Sequence, residues 1–129
     1  MSEIKIVVAG LIFDKDKFLV ARRPITKSRG GLFEFVGGKV QEGETHAEAL
    51  RREFMEELNL EIKVGELFMK VRHTYTDIDI YLYLYMAEIV GGELKLMEHS
   101  EIKWITKDEI DDLEFCPADK DILAKIKSV

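Results

Sequence analysis

The sequence predicts an α/β fold, a mixed β-sheet sandwiched between helices. Three observations carry that expectation. Apolar stretches with strand character recur along the chain, two substantial helical patterns are interleaved with them, and the longest strand patterns are apolar on both faces. At 129 residues, 47% of them hydrophobic and 34% charged, the chain has the length of one domain (1–129) and enough apolar material for a core.

Ile4 to Phe13 is β-rich and almost continuously apolar, which suits a strand covered on both faces. Asp14 to Lys17 ("DKDK") makes a turn, and Phe18 to Arg22 returns as the second strand of a hairpin. Arg23 to Gly31 is a loop whose cations, Arg23, Lys27 and Arg29 with the preceding Arg22, stand out in a chain of net charge −6. "LFEFVGGKVQEGE" reads as a short strand and then a glycine-rich loop. Thr45 with Glu48 forms a capping-box signature and starts a helix. Ala47, Leu50, Phe54 and Leu58 make its apolar face, while Glu53, Glu56 and Glu57 form a separate stripe outside the core.

Leu60 to Val71 and Ile78 to Val90 are the next strands. In the second, Ile78, Ile80, Leu82, Leu84 and Met86 share one face and Tyr81, Tyr83 and Tyr85 the other, the pattern of an inner strand. Gly91-Gly92 turns the chain and Ile102 to Thr106 is a short strand. Thr106 and Glu109 cap a short helix, and Pro117 begins a terminal one.

The acidic balance argues against a nucleic acid polymer as partner, since such binders need a basic face. A small polyanion can still be held through a metal or a few placed cations. Cys116 is the only cysteine, which excludes an intrachain disulfide and a cysteine-rich zinc site. The N-terminus starts acidic and its apolar run is too short to span a bilayer, so a cytoplasmic protein without a membrane partner is expected.

The clustered glutamates pose a question, because like charges three and four residues apart on a helix cost about 0.2–0.5 kcal/mol per pair. A solvated acidic face and a divalent-cation site both account for them. The neighbourhood favours the cation site. Gly37-Gly38 lets backbone oxygens approach an ion, and Lys39 with the Arg22/Arg23 loop offers cations for phosphate oxygens.

Gly38, five residues, Glu44, seven residues and then "REFMEELNL" resembles the Nudix box, G-x5-E-x7-R-E-U-x-E-E-x-G-U with U bulky and apolar. Gly38, Glu44, Arg52, Glu53, Glu56 and Glu57 fall in register, with Phe54 and Leu60 at the apolar positions. Asn59 stands at the usual glycine. Asn tolerates the left-handed conformation next best, so the fold and metal site are expected to survive the change. "LFEFVGGKV" is similar to the lead-in of MutT-like Nudix proteins, with Val36 in place of proline. "ARRP", Glu98 ahead of Trp104, and Pro117-Ala118-Asp119 extend the likeness over most of the chain.

The resemblance implies the Nudix fold and a MutT-like nucleoside triphosphate pyrophosphohydrolase, which releases a nucleoside monophosphate and pyrophosphate with Mg²⁺ or Mn²⁺. It implies Glu53, Glu56 and Glu57 as metal ligands, helped by the Gly38 carbonyl and Glu98. Either Glu53 or Glu98 would be the general base. Arg52 would orient the glutamates through Glu44 or Glu56, and Arg23 and Lys39 would contact phosphate. Phe35 and Ile78 would wall the base pocket and Asp119 would read the base. Ordinary core competes with that role for Phe35, and a helix-start carboxylate competes with it for Asp119. Trp104 and the tyrosine row are expected to pack in the core, and His46, His73 and His99 show no ligand spacing. The box leaves open sugar nucleotides and dinucleoside polyphosphates as substrates, and a non-catalytic nucleotide-binding domain as a different class. A monomer or homodimer is expected.

Overall fold

A continuously apolar strand can be buried only if other strands and helices surround it, and within β1 (Ile4–Asp14) residues 8–12 are in that position, whereas Ile4, Ile6 and Phe13, expected to be covered, are exposed. The computed structural model describes residues 4–129. β1 runs parallel to β6 (Asp79–Gly92) from Ile4 opposite Asp79 to Ile12 opposite Ala87. On its other side it meets β4 (Val36–Lys39) antiparallel, and its last residues, Phe13 and Asp14, pair with β2 (Lys17–Arg22). β2 carries β3 (Phe33–Glu34) and β7 (Glu101–Ile105), and β5 (Leu60–Thr74) completes the seven-stranded mixed sheet beyond β6. β6 is thus an inner strand, as its pattern predicts.

Each face of the sheet carries a helix and its own core. α1 (His46–Leu58) brings Leu50, Phe54 and Leu58 into a cluster with Val8, Ile12 and Val36. A Cβ on Gly10 would come 2.8 Å from the Phe54 ring, so the glycine lets α1 lie flush on β1. α2 (Lys120–Ser128) covers the opposite face, where Ile122, Leu123 and Ile126 join Leu11, Phe18 and Leu84. Fully burying each such side chain contributes about 1.5–3 kcal/mol.

The ends of α1 follow local rules. The Glu48 N–H donates to Thr45 Oγ1 (3.1 Å) and the Thr45 N–H donates to Glu48 Oε1 (2.9 Å), the reciprocal capping box. Asn59 closes the helix at φ 58°, in the left-handed region, and its Nδ2 donates to the Glu93 carbonyl at 2.9 Å.

Four expectations are corrected. Gly37 and Gly38 lie in β4, not in a loop, because β4 passes so close to β1 that a Cβ on Gly37 would collide with the Val8 carbonyl. The apolar face of α1 buries Ala49 fully and Ala47 only partly, and it includes Glu57, so the acidic stripe is not wholly outside the core. Gly91 and Gly92 belong to the last rungs of β6 opposite Glu61 and Leu60. The terminal helix opens as a 3-10 turn, Pro117–Asp119, and becomes α-helical only at Lys120; the element after Thr106 is likewise 3-10 (Lys107–Asp112).

Candidate active site

Of the acidic residues on α1, Glu57 lines a cavity of about 300 Å³, whereas Glu53 and Glu56, like Glu44 and Glu98, are not among its lining residues. Its lining joins β4 (Gly37, Gly38, Lys39), β3 (Glu34) with the adjoining Phe35, the end of α1 (Glu57), the turn between β5 and β6 (Tyr75, Asp77, Ile78) and the start of the last helix (Cys116, Ala118, Asp119). Arg23, Ser28 and Arg29 close it from the basic loop. Of the residues singled out from sequence, Arg23, Phe35, Gly38, Lys39, Glu57, Ile78 and Asp119 therefore face one space. Phe35 also belongs to the core beside Phe18, with ring centroids 6.1 Å apart.

Arg52 organises the outer carboxylates. Its Nε and Nη2 donate to the two oxygens of Glu44 (2.7 and 2.9 Å), a bidentate fork. Nη1 donates to Glu53 (2.9 Å) and Glu56 (3.2 Å), and Nη2 also reaches the Lys39 carbonyl at 3.1 Å. Arg52 thus orients Glu44, Glu53 and Glu56 together. Those hydrogen bonds hold the Glu44 carboxyl below its ordinary pKa. The Glu53 carboxylate rests against Gly38, where any Cβ would strike it. Burial raises the Glu53 pKa, against the opposing pull of Arg52.

Glu57 differs from the other three. It is 7% exposed, and its Oε2 has no hydrogen-bond partner among the described residues. Burial pushes its pKa up to about 9, reinforced by the negative charges of Glu53, Glu34 and Glu98. A buried carboxylate surrounded by carboxylates is costly unless a cation joins it. Among the described residues no three acidic, His or Cys side chains already converge as a metal cage. Nevertheless the oxygen-only donor set and the orphaned Glu57 Oε2 fit a hard divalent cation. Glu98 is half-exposed and ion-paired with Lys27 at 3.7 Å.

The inner end of the cavity holds a second polar group. Asp119, 4% exposed, has its pKa raised well above the ordinary value by burial and by Glu34, against the pull of Arg23. Glu34 accepts from Arg23 Nη1 and from His99 Nε2, each at 3.0 Å. Burial and the Glu34 charge lift the Cys116 thiol to about 12, which leaves it unreactive. Tyr75 anchors the wall, its hydroxyl accepting from the Ala118 N–H at 2.9 Å while the Arg29 guanidinium lies 4.1 Å from its ring centroid. Sequence reasoning singled out Arg29 only as a cation of the basic loop and missed Glu34, Tyr75 and Asp77 in the cavity wall, and His99 behind Glu34. Only Glu34 left a local signal, a charged residue between Phe33 and Phe35.

The NUDIX domain profile matches residues 8–125. The CTP pyrophosphohydrolase of Escherichia coli is 35% identical over 117 residues, covering 91% of this chain and 87% of that protein. A putative 8-oxo-dGTP diphosphatase 2 of Mycobacterium tuberculosis is 36% identical over 129 residues, covering 95% of this chain and 87% of its own length. The crystal structure of a MutT protein from Methanosarcina mazei superposes with a TM-score of 0.88 at 25% identity, over 98% of this chain and 95% of that one.

Proposed function

The chain belongs to the NUDIX domain family, and on that premise we propose that it hydrolyses nucleoside triphosphates, including oxidised or modified ones, to the monophosphate and pyrophosphate with Mg²⁺. Mn²⁺ would serve in its place. The protein is a hydrolase of phosphorus-containing anhydrides, and its activity is MutT-like. The family is generally dependent on a divalent metal. The observation that carries the reading is Glu57, a buried carboxylate whose Oε2 has no hydrogen-bond partner among the described residues and which lines one cavity of about 300 Å³ with Gly38 and Lys39.

Glu53, Glu56, Glu57 and the Gly38 carbonyl would hold the ion, with Glu98 nearby. When bound, the ion supplies charge screening for the triphosphate and acidifies a water. The protein's own groups do the rest. Arg52 fixes the carboxylate rotamers, Lys39 and Arg23 receive phosphate oxygens, and Glu53 or Glu98 accepts the proton of the attacking water.

Asp119 would read the base. Its raised pKa favours the neutral carboxyl, which both donates and accepts, while Glu34 alongside offers acceptors. The Glu34 acceptors suit a base edge bearing an amino group, so cytosine and guanine nucleotides, oxidised forms included, should be preferred over uracil and thymine, which carry a ring N–H but no amino group. The names of the relatives, one for CTP and one for 8-oxo-dGTP, support the same two bases. The test is a panel of nucleoside triphosphates assayed with Mg²⁺ on wild type and Asp119→Ala. The variant should lose the base ranking and keep its metal requirement; an unchanged ranking would reduce Asp119 to a helix-start residue.

A further inference from the structure

His99 is the one buried histidine among the described residues, and the catalytic chemistry above makes no use of it. It lies in the segment entering β7, stitched to the end of β2 by the Ser100 N–H, which donates to the Arg22 carbonyl at 3.0 Å. Its Nε2 is 3.0 Å from Glu34 Oε2. A carboxylate only accepts, so the ring must carry its proton on Nε2. Among the described residues Nδ1 has no partner, and in that tautomer it is left with an unfilled lone pair instead of an unpaired N–H.

The contact continues into the cavity wall. The other oxygen of Glu34 accepts from Arg23 Nη1 at 3.0 Å, and Arg23 Nε donates to the Ser28 carbonyl at 2.8 Å. Two donors on separate oxygens fix the plane of the Glu34 carboxylate, where one donor would leave it free to rotate. Arg23, held in turn at two of its nitrogens, keeps Nη2 without a partner among the described residues, on a side chain that lines the cavity. We propose that His99 is a positioning residue for nucleotide binding: by donating Nε2–H to Glu34 it locks the carboxylate that aims Arg23 into the cavity. This rests on the nucleotide reading of the cavity. His99 touches neither phosphate nor base; it acts through Glu34, so its loss should weaken binding and spare the chemical step.

The test compares His99→Phe, which keeps a ring but no donor, with His99→Gln, whose amide nitrogen can take the place of Nε2. His99→Phe should raise KM for the preferred triphosphate about tenfold with kcat within about twofold, and His99→Gln should restore KM to within about threefold of wild type. By ¹⁵N NMR without substrate, the Arg23 Nε–H resonance should be sharp and shifted in wild type and His99→Gln, and broadened in His99→Phe. An unchanged KM in His99→Phe, or equal impairment of both variants, overturns the proposal. Should His99→Phe not fold, the ring protons of wild type decide, since a neutral ring with its only proton on Nδ1 is incompatible with donation to Glu34. If wild type hydrolyses no nucleoside triphosphate, the nucleotide reading fails, and the Arg23 resonance still determines whether His99 controls that side chain.

Discussion

Burial and the neighbouring carboxylates hold the Glu57 carboxyl toward its neutral form, and a cation at the site would be what lets it ionise. Glu53→Gln and Glu57→Gln should each lower turnover at least about a hundredfold, the effect of losing a transition-state interaction of about 3 kcal/mol. Glu57→Gln should leave the metal-free fold no less stable, because burial already favours an uncharged side chain there and Gln supplies one of the same size. Steady-state assays with melting curves check this, and near wild-type turnover in either variant would remove the metal assignment. Asp119 supplies a pH test. Its folded pKa is raised, so its contribution to stability is fully present below the unfolded value of about 3.9 and falls as pH rises toward the folded value. Asp119→Asn abolishes that loss. Its stability relative to wild type, from urea unfolding, should therefore grow between pH 4 and pH 8; a constant difference would mean that Asp119 is not held against ionisation.

At the scale of elements, α1 is the part most legible in the sequence, because its signals are local. Thr45 and Glu48 are three residues apart and cap each other, and Asn59 sits in the left-handed conformation expected of it. Asn59→Ala should cost about 1–2 kcal/mol through backbone strain, whereas Asn59→Gly should stay within about 1 kcal/mol, relieving strain while losing the bond to Glu93. Chemical denaturation separates the two, and an Asn59→Ala as stable as wild type would contradict the account. β4 was not legible. Two adjacent glycines read as a loop in isolation, and only the approach of β1, remote in sequence, makes them a strand. Glu57 misled for a similar reason: its helical position is polar by pattern, and what buries it is the rest of the fold.

For the molecule as a whole, the box carboxylates were readable because one helix and its lead-in hold them, while the remainder of the cavity is assembled from distant segments. Glu34 meets His99 across 65 positions and Tyr75 meets Ala118 across 43, and no local pattern announces either contact. What these segments enclose is one cavity with the Glu57 and Glu34 carboxylates in its wall and Asp119 at its inner end. The central claim is that this site splits a triphosphate between its α and β phosphates in a metal-dependent reaction. The most direct measurement is product analysis by ³¹P NMR after incubation of CTP or 8-oxo-dGTP with Mg²⁺, with and without EDTA. The account predicts nucleoside monophosphate and pyrophosphate in equal amounts, formed only when the metal is available. Nucleoside diphosphate with orthophosphate as the primary products, or turnover undiminished by EDTA, would contradict it.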